Sequence, residues 1–489
     1  MKITNSAVRL STGVDGLDYI LLGGLVQGGA YLVRGGPGTG KTTLGLHYLA
    51  AGIAAGQKVL FVTLGEPEED IKKNARSINV NADDLAYLDL SPTPEFFAEV
   101  ETYDIFSPAE VEREPTTARI IDAVHDVQPD RVFIDSMAQF RYLSVDIFQY
   151  RKQVLSFLRY LKGRGATVVF TSEAGPDTPD SDVQFLSDGI VNLFLNHHER
   201  NVSVSKFRGS SFVAGEHGMR LSAHGMEVLP RLEPQERTEQ LQMEALPLGV
   251  VKLDQMLHGG LERGTITIIS GPSGVGKTTL GLQFMKTGAA RGERSIVYTF
   301  EEEVDIVIQR SEMIGIPARR MVDEGTLSLT KVRPLQFTPD EFAHLVRRDV
   351  EDRGARVVMI DSVSGYKLSL HGADLVRRLH ALCKFLQSTG VTVVLLAETQ
   401  SIVGDFQATD VELSYLADNI VFLRYLEIEG ELRKAVGVLK KRLSDFEKVL
   451  REFEITSNGI QVGEPMTEFR GILSGVPTSV GAAPSESAA

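Results

Sequence analysis

Short runs of β-branched and apolar residues recur along the chain, each followed by a stretch of helical length. In the first half the runs are YLVRG (31–35), VLFVTL (59–64), RVFID (131–135) and TVVFTS (167–172). In the second half they are ITIISG (266–271), IVYTF (296–300), VVMID (357–361) and TVVLLAE (392–398). Near-continuous apolar character marks strands buried on both faces, as in parallel sheets. TTLGLHYLAAGIAAG (42–56) and TTLGLQFMKTGAARG (278–292) read as helices that open directly after a Gly-rich turn. This alternation predicts α/β domains, each a mostly parallel sheet between two helical layers.

The two halves are copies. TGVDGLDYILLGGL (12–25) and LGVVKLDQMLHGGL (248–261) agree at eight of fourteen positions, at an offset of 236 residues. The same offset relates GGPGTGKTT (35–43) to GPSGVGKTT (271–279). It drifts only slightly between VFIDS (132–136) and VMIDS (358–362), and between SKFR (205–208) and LKKR (439–442). A long, nearly constant offset means a duplicated domain with differing loops, not a short-period solenoid. The expected division is a first domain over 1–232, a linker over 233–245, a second domain over 246–470 and a tail over 471–489. The tail is small-residue-rich and low in complexity, so it reads as flexible.

Each copy carries the phosphate-binding pattern G-x-x-x-x-G-K-T between a strand and a helix. Its backbone N–H groups and the helix N-terminus suit anionic phosphates, and its lysine reaches them. The candidate ATP-binding residues are Gly35, Gly36, Gly38, Thr39, Gly40, Lys41, Thr42 and Thr43 in the first copy. In the second they are Gly271, Ser273, Gly274, Val275, Gly276, Lys277, Thr278 and Thr279. The hydroxyls of Thr42 and Thr278 suit Mg²⁺, as do Asp135 and Asp361, each at the end of a later apolar strand.

Glutamates follow the strand after the phosphate-loop helix: Glu301 and Glu302 in the second copy, but only Glu66, after Gly65, in the first. A carboxylate there can orient or deprotonate an attacking water or hydroxyl. Near the end of each copy, Lys206 with Arg208, and Lys440 with Arg442, alternate so as to share one strand face. Such a pair either reaches a neighbouring phosphate as an arginine finger or guards a solvated edge strand.

Composition narrows the partners. The 489 residues carry a net charge of −14 and no tryptophan, which argues against a channel for single-stranded nucleic acid. A single cysteine, Cys383, leaves no intramolecular disulfide and fits a reducing compartment. With no apolar leader in MKITNSAVRLS and no long apolar run, a cytoplasmic protein without a membrane partner is expected.

The phosphate loops, the FEE and IDS strand ends, EDIKKNARS (69–77), SKFRGSS (205–211) and LRYLEIEGELRKAVGVLKKR (423–442) together resemble the KaiC family. These are the tandem RecA-like P-loop ATPases and autokinases of the cyanobacterial circadian clock. The resemblance covers about residues 5–475 and implies a homohexamer of two stacked rings with ATP and Mg²⁺ at protomer interfaces. It implies slow hydrolysis in the first copy, and Ser/Thr autokinase activity in the second with Glu301 as base. Lys206, Arg208, Lys440 and Arg442 would act in trans. The phosphoacceptor pair of the family falls on Ser414 and Tyr415, before Leu416, Ala417 and Asp418. A KaiB-like protein partner is compatible with the resemblance, whereas the short tail argues against a KaiA-like one. Three departures matter: Gly65 for a glutamate, Leu443 where the first copy has Gly209, and Tyr415 for a threonine. The alternatives are a DNA-dependent RecA-like ATPase and a ring ATPase regulator without kinase activity.

Overall fold

The computed structural model describes residues 8–92, 113–141, 146–173, 180–196, 199–233, 244–371, 374–399, 411–428, 430–472 and 478–479. Most of the expected linker (234–243) and tail (473–477 and 480–489) lies outside them. The chain divides into two compact units, Met1–Arg231 and Leu232–Ala489.

The first unit is built on a nine-stranded sheet. Its strands are β1 (Ala30–Gly35), β2 (Val59–Thr63), β3 (Ala86–Asp89), β4 (Arg131–Asp135), β5 (Thr167–Glu173), β6 (Gly189–Asn196), β7 (Glu199–Phe207), β8 (Glu216–Ser222) and β9 (Gly225–Leu229). They lie in the order β3-β2-β4-β5-β1-β6-β7-β8-β9. Strands β1 to β6 pair in parallel, and β7 to β9 extend the sheet as an antiparallel edge.

The second unit repeats this order. Its strands are β10 (Ile266–Gly271), β11 (Ser295–Thr299), β12 (Leu327–Lys331), β13 (Val357–Asp361), β14 (Thr392–Glu398), β15 (Asn419–Ile428), β16 (Glu431–Lys441), β17 (Arg451–Thr456) and β18 (Gly459–Pro465). They run β12-β11-β13-β14-β10-β15-β16-β17-β18. Both units are therefore RecA-like α/β domains, mostly parallel at the centre.

Alternation along each strand feeds two cores. In the first unit Tyr31, Val33, Phe61, Phe133 and Val169 pack against the helix Lys41–Ala54 through Leu44, Tyr48 and Leu49. Leu32, Leu60, Val132, Ile134 and Phe170 face the other way, toward the helices Arg113–Val127 and Ile147–Gly163. The second unit does the same, with Leu280, Phe284 and Met285 on one face and Phe342, Val346, Leu379 and Leu382 on the other. Each fully buried side chain of this size contributes about 1.5–3 kcal/mol.

The phosphate-loop helix lies very close to the sheet. A Cβ on Gly45 would come within 2.1 Å of the Phe133 ring, and one on Gly281 within 2.4 Å of Met359 Sδ. Gly45→Ala therefore forces the helix off the sheet. We expect a loss of about 1–3 kcal/mol in the unfolding free energy of the first unit, read by chemical denaturation. Equal stability of the two proteins would mean that the helix already has room. Among the described residues no helix is long and apolar enough to cross a membrane.

Candidate functional site

The parallel strands of each unit end at one edge of the sheet, and the phosphate loop leaves β1 and β10 there. The loop turns on glycines with positive φ, 101° at Gly40 and 120° at Gly276. An L side chain is rarely found in that region, and at Gly276 a Cβ would also meet Ile455 Cδ1 at 2.5 Å. Both helices that follow start without a side-chain cap and without an acidic residue in the first turn. Their first N–H groups thus remain open to an anion, and the helix dipole favours one. Lys41 Nζ donates to the carbonyls of Gly35 (2.8 Å) and Gly36 (2.9 Å), and Lys277 Nζ to those of Gly271 (2.8 Å) and Pro272 (2.9 Å). Burial holds both ammonium groups below the usual lysine range, opposed by nearby carboxylates.

The threonine after each lysine meets the strand-end aspartate. Thr42 Oγ1 donates to Asp135 Oδ2 at 2.6 Å, and Thr278 Oγ1 to Asp361 Oδ2 at 2.8 Å. Asp135 accepts a second hydroxyl bond from Thr171, at 2.6 Å. In the second unit Leu396 stands opposite Asp361 instead. Burial pushes the Asp361 carboxyl up to about 6; Glu302 and Glu301 add to the rise, and Thr278 and Lys277 oppose it. The next peptide bond is cis in both units, Asp135–Ser136 and Asp361–Ser362, a match with no local signature in the chain.

The turn after β2 and β11 has one backbone form in both units. Thr63 Oγ1 donates to the Glu66 carbonyl at 2.5 Å, and Thr299 Oγ1 to that of Glu302 at 3.0 Å. Glu66 therefore corresponds to Glu302, and Gly65 to Glu301. Ser362 Oγ donates to Glu301 Oε1 at 2.8 Å and itself accepts from the Gly365 N–H. Arg310 holds Glu302 Oε1 at 2.6 Å. Burial raises the Glu66 carboxyl above its ordinary range, with Asp135 and Asp70 adding to the rise.

The Lys and Arg pairs lie at the opposite edge of the sheet. Arg208 N–H donates to Asp188 O, and Asp188 N–H to Ala30 O, at the first residue of β1. Arg442, Asp418 and Ile266 repeat the chain of bonds at the start of β10. Lys206 Nζ donates to Gln184 O (2.9 Å), and the Arg208 guanidinium lies 3.7 Å from Asp188. Lys440 Nζ donates to the carbonyls of Ser414 (2.8 Å) and Ala417 (2.7 Å), and Arg442 Nη2 to that of Tyr415 (2.9 Å). Lys441, between them, turns away into a buried ion pair with Glu262 at 2.9 Å. Ser414 and Tyr415 thus sit beside Lys440 and Arg442, and the length of β10 separates all four from their own phosphate loop. Five residue steps along a strand span roughly 16 Å.

Residues absent from the sequence reading also converge on the loops. Glu173 is level with Gly35, and Glu398 with Gly271, in the parallel registers. Glu398 Oε1 lies 4.0 Å from Lys277 Nζ. The signal was present, since TVVFTSE and TVVLLAE both end on this acid, but its place beside the loop needs the strand order. Lys434 also reaches the second loop, 3.5 Å from Gly274 O and over the Tyr425 ring.

Two phosphate loops, each with a Thr–Asp pair at the carboxyl edge of a RecA-like sheet, define a tandem P-loop nucleoside triphosphatase. Comparison narrows the class: the family model of the KaiC ATPases matches residues 10–233 and 246–467, and the chain belongs to that family. It is 29% identical to the circadian clock oscillator protein KaiC of Parasynechococcus marenigrum (strain WH8102), over 96% of this chain and 93% of that protein. It is 28% identical to the circadian clock protein KaiC3 of Synechocystis sp. (strain ATCC 27184 / PCC 6803 / Kazusa), over 97% and 95% of the two. With the circadian clock oscillator protein KaiC of Synechococcus elongatus (strain ATCC 33912 / PCC 7942 / FACHB-805) the identity is 29%, over 96% and 92%.

Proposed function

We propose that this protein is an ATP-hydrolysing ring of two stacked tiers, six chains in each ring, whose second unit also phosphorylates itself on Ser414 or Tyr415 as a signalling or circadian-type switch. The observation that carries the reading is the separation just described: each unit keeps its phosphate loop at one edge of the sheet and its Lys–Arg pair at the other. An arginine side chain does not span roughly 16 Å, whereas a neighbour in a closed ring brings the two edges together. In that arrangement Lys206 and Arg208, or Lys440 and Arg442, complete the next protomer's site.

The residues present fit both ATP and Mg²⁺. The helix starts are uncapped and the lysines sit within the loops. The threonine and aspartate oxygens form the hard donor set that magnesium takes. Magnesium bound at Thr42 or Thr278, with Asp135 or Asp361 beside it, would supply positive charge to the β- and γ-phosphate oxygens. The lysine binds those oxygens, and the loop N–H groups fix their orientation. Glu301 accepts the proton of the attacking water, or of the Ser414 hydroxyl that a neighbouring protomer presents, as that oxygen bonds to the γ-phosphorus and the bond from the γ-phosphorus to the bridging oxygen breaks, leaving ADP. In the first unit Glu66 does the same for water. A cytoplasmic location and a KaiB-like protein partner go with this reading.

The test is incubation with ATP and Mg²⁺ followed by phosphopeptide mapping of the wild-type chain and the Lys41→Ala and Lys277→Ala variants. Phosphate on Ser414 or Tyr415 that survives Lys41→Ala and is lost with Lys277→Ala supports the autokinase. ATP hydrolysis with no phosphate retained would leave a ring ATPase whose output lies in bound partners.

A further inference from the structure

We propose that Arg310 is a positioning residue that takes Glu302 out of the reaction, so that the two units use carboxylates from different positions of the same turn. This rests on the reading that Glu301 is the base of the second unit. The backbone of the turn is shared, since Thr63 and Thr299 bond the carbonyls of Glu66 and Glu302 alike. Its surroundings differ.

In the second unit Arg310, on the helix Val304–Met313, grips Glu302 Oε1 at 2.6 Å, and Glu302 Oε2 is buried without a hydrogen-bond partner. The next strand supplies a second cation: Lys331 Nζ donates to the carbonyls of Phe300 (3.2 Å) and Glu302 (3.3 Å). Glu301 is oriented separately, by the Ser362 hydroxyl. In the first unit the residue aligned with Arg310, at the same offset of 236, is the exposed Asn74, and Asp89 replaces Lys331 opposite the threonine of the preceding strand. Among the described residues nothing cationic lies within ion-pair distance of Glu66.

The consequence is a division of labour. A carboxylate that accepts a guanidinium at hydrogen-bond distance is turned toward that cation and has an oxygen committed to it. Glu302 is thereby held by its cation, and Glu301, held by the Ser362 hydroxyl with no ion pair among the described residues, is left as the base. The first unit has no carboxylate at position 65 and no cation at 74, so Glu66 takes the proton from water. Each site keeps one working base, and the choice is made by the residue eight positions further along.

The experiment measures ATP turnover of the full-length chain in a Lys41→Ala background, where only the second unit acts. Glu301→Gln lowers turnover at least about a hundredfold, the scale of a lost general base. Adding Arg310→Asn releases Glu302 and raises that residual rate roughly fivefold, the upper range for a partly exposed ion pair. Adding Glu302→Gln on top removes the gain. An arginine that only supported the fold would give no gain in the double variant, and that result overturns the proposal. Full turnover in Glu301→Gln alone would instead overturn the reading on which it rests.

Discussion

Lys277→Ala is expected to empty the second nucleotide site while leaving the unit folded. The ammonium is buried at a desolvation cost that its bonds to the carbonyls of Gly271 and Pro272 and the nearby carboxylates offset, so its removal is a small change for the fold. What the substitution deletes is the cation proposed to bind the phosphates. Charge-assisted bonds to phosphate are about twice as strong as neutral ones, so ATP affinity should fall by roughly a hundredfold or more. Calorimetric titration should then count one nucleotide per chain in Lys277→Ala and in Lys41→Ala, and none in the double variant. Two nucleotides per chain in either single variant would show that the lysine is dispensable. Thermal unfolding should stay near wild type in the absence of nucleotide.

The second large effect is expected from Arg442→Ala. This side chain bonds the Tyr415 carbonyl and lies 3.4 Å from Asp418, at the start of β10 and away from its own phosphate loop. Its loss should leave nucleotide binding by the same chain nearly unchanged. In a Lys41→Ala background, where only the second unit acts, turnover should fall by roughly a thousandfold or more if the guanidinium stabilises charge on a neighbour's transferring phosphoryl group. The separation of the two readouts matters: an arginine that only held the end of the short helix Val411–Ser414 would lower stability and spare the rate. Leu443, in place of Gly209, follows it directly and is partly exposed, which gives the second unit a bulkier edge than the first.

Much of this arrangement is legible along the chain because it is local. The phosphate loops declare themselves by glycines and a lysine at fixed spacing, and the Thr–Asp pairs by an aspartate closing an apolar run. The alternation of runs is enough for a mostly parallel sheet. Features that depend on which strand lies beside which are not legible in the same way. Glu173 and Glu398 are acids at the ends of strands until the parallel register sets them level with Gly35 and Gly271. The distance of Lys440 and Arg442 from their own loop follows from the antiparallel pairing of β16 with β15, where Lys440 meets Ile420 near the start of β15. Arg310 is one charge among several on a surface helix, and only the docking of that helix brings it to Glu302. Within EEE (301–303) the chain alone leaves two adjacent glutamates equivalent; Ser362 and Arg310 distinguish them.

Complementation between chains tests most directly whether each site is completed by a neighbouring protomer. In a Lys41→Ala background, Lys277→Ala and Arg442→Ala chains are each prepared, mixed, reassembled with nucleotide and assayed for ATP turnover. Neither chain alone has a whole second site, but a mixed ring contains some interfaces that pair an intact phosphate loop with an intact Arg442. Those interfaces carry turnover only if the arginine works from the neighbour. Turnover well above the sum of the separate proteins is the predicted result. A mixture no more active than its components, with reassembly verified by mass, would contradict an intersubunit site.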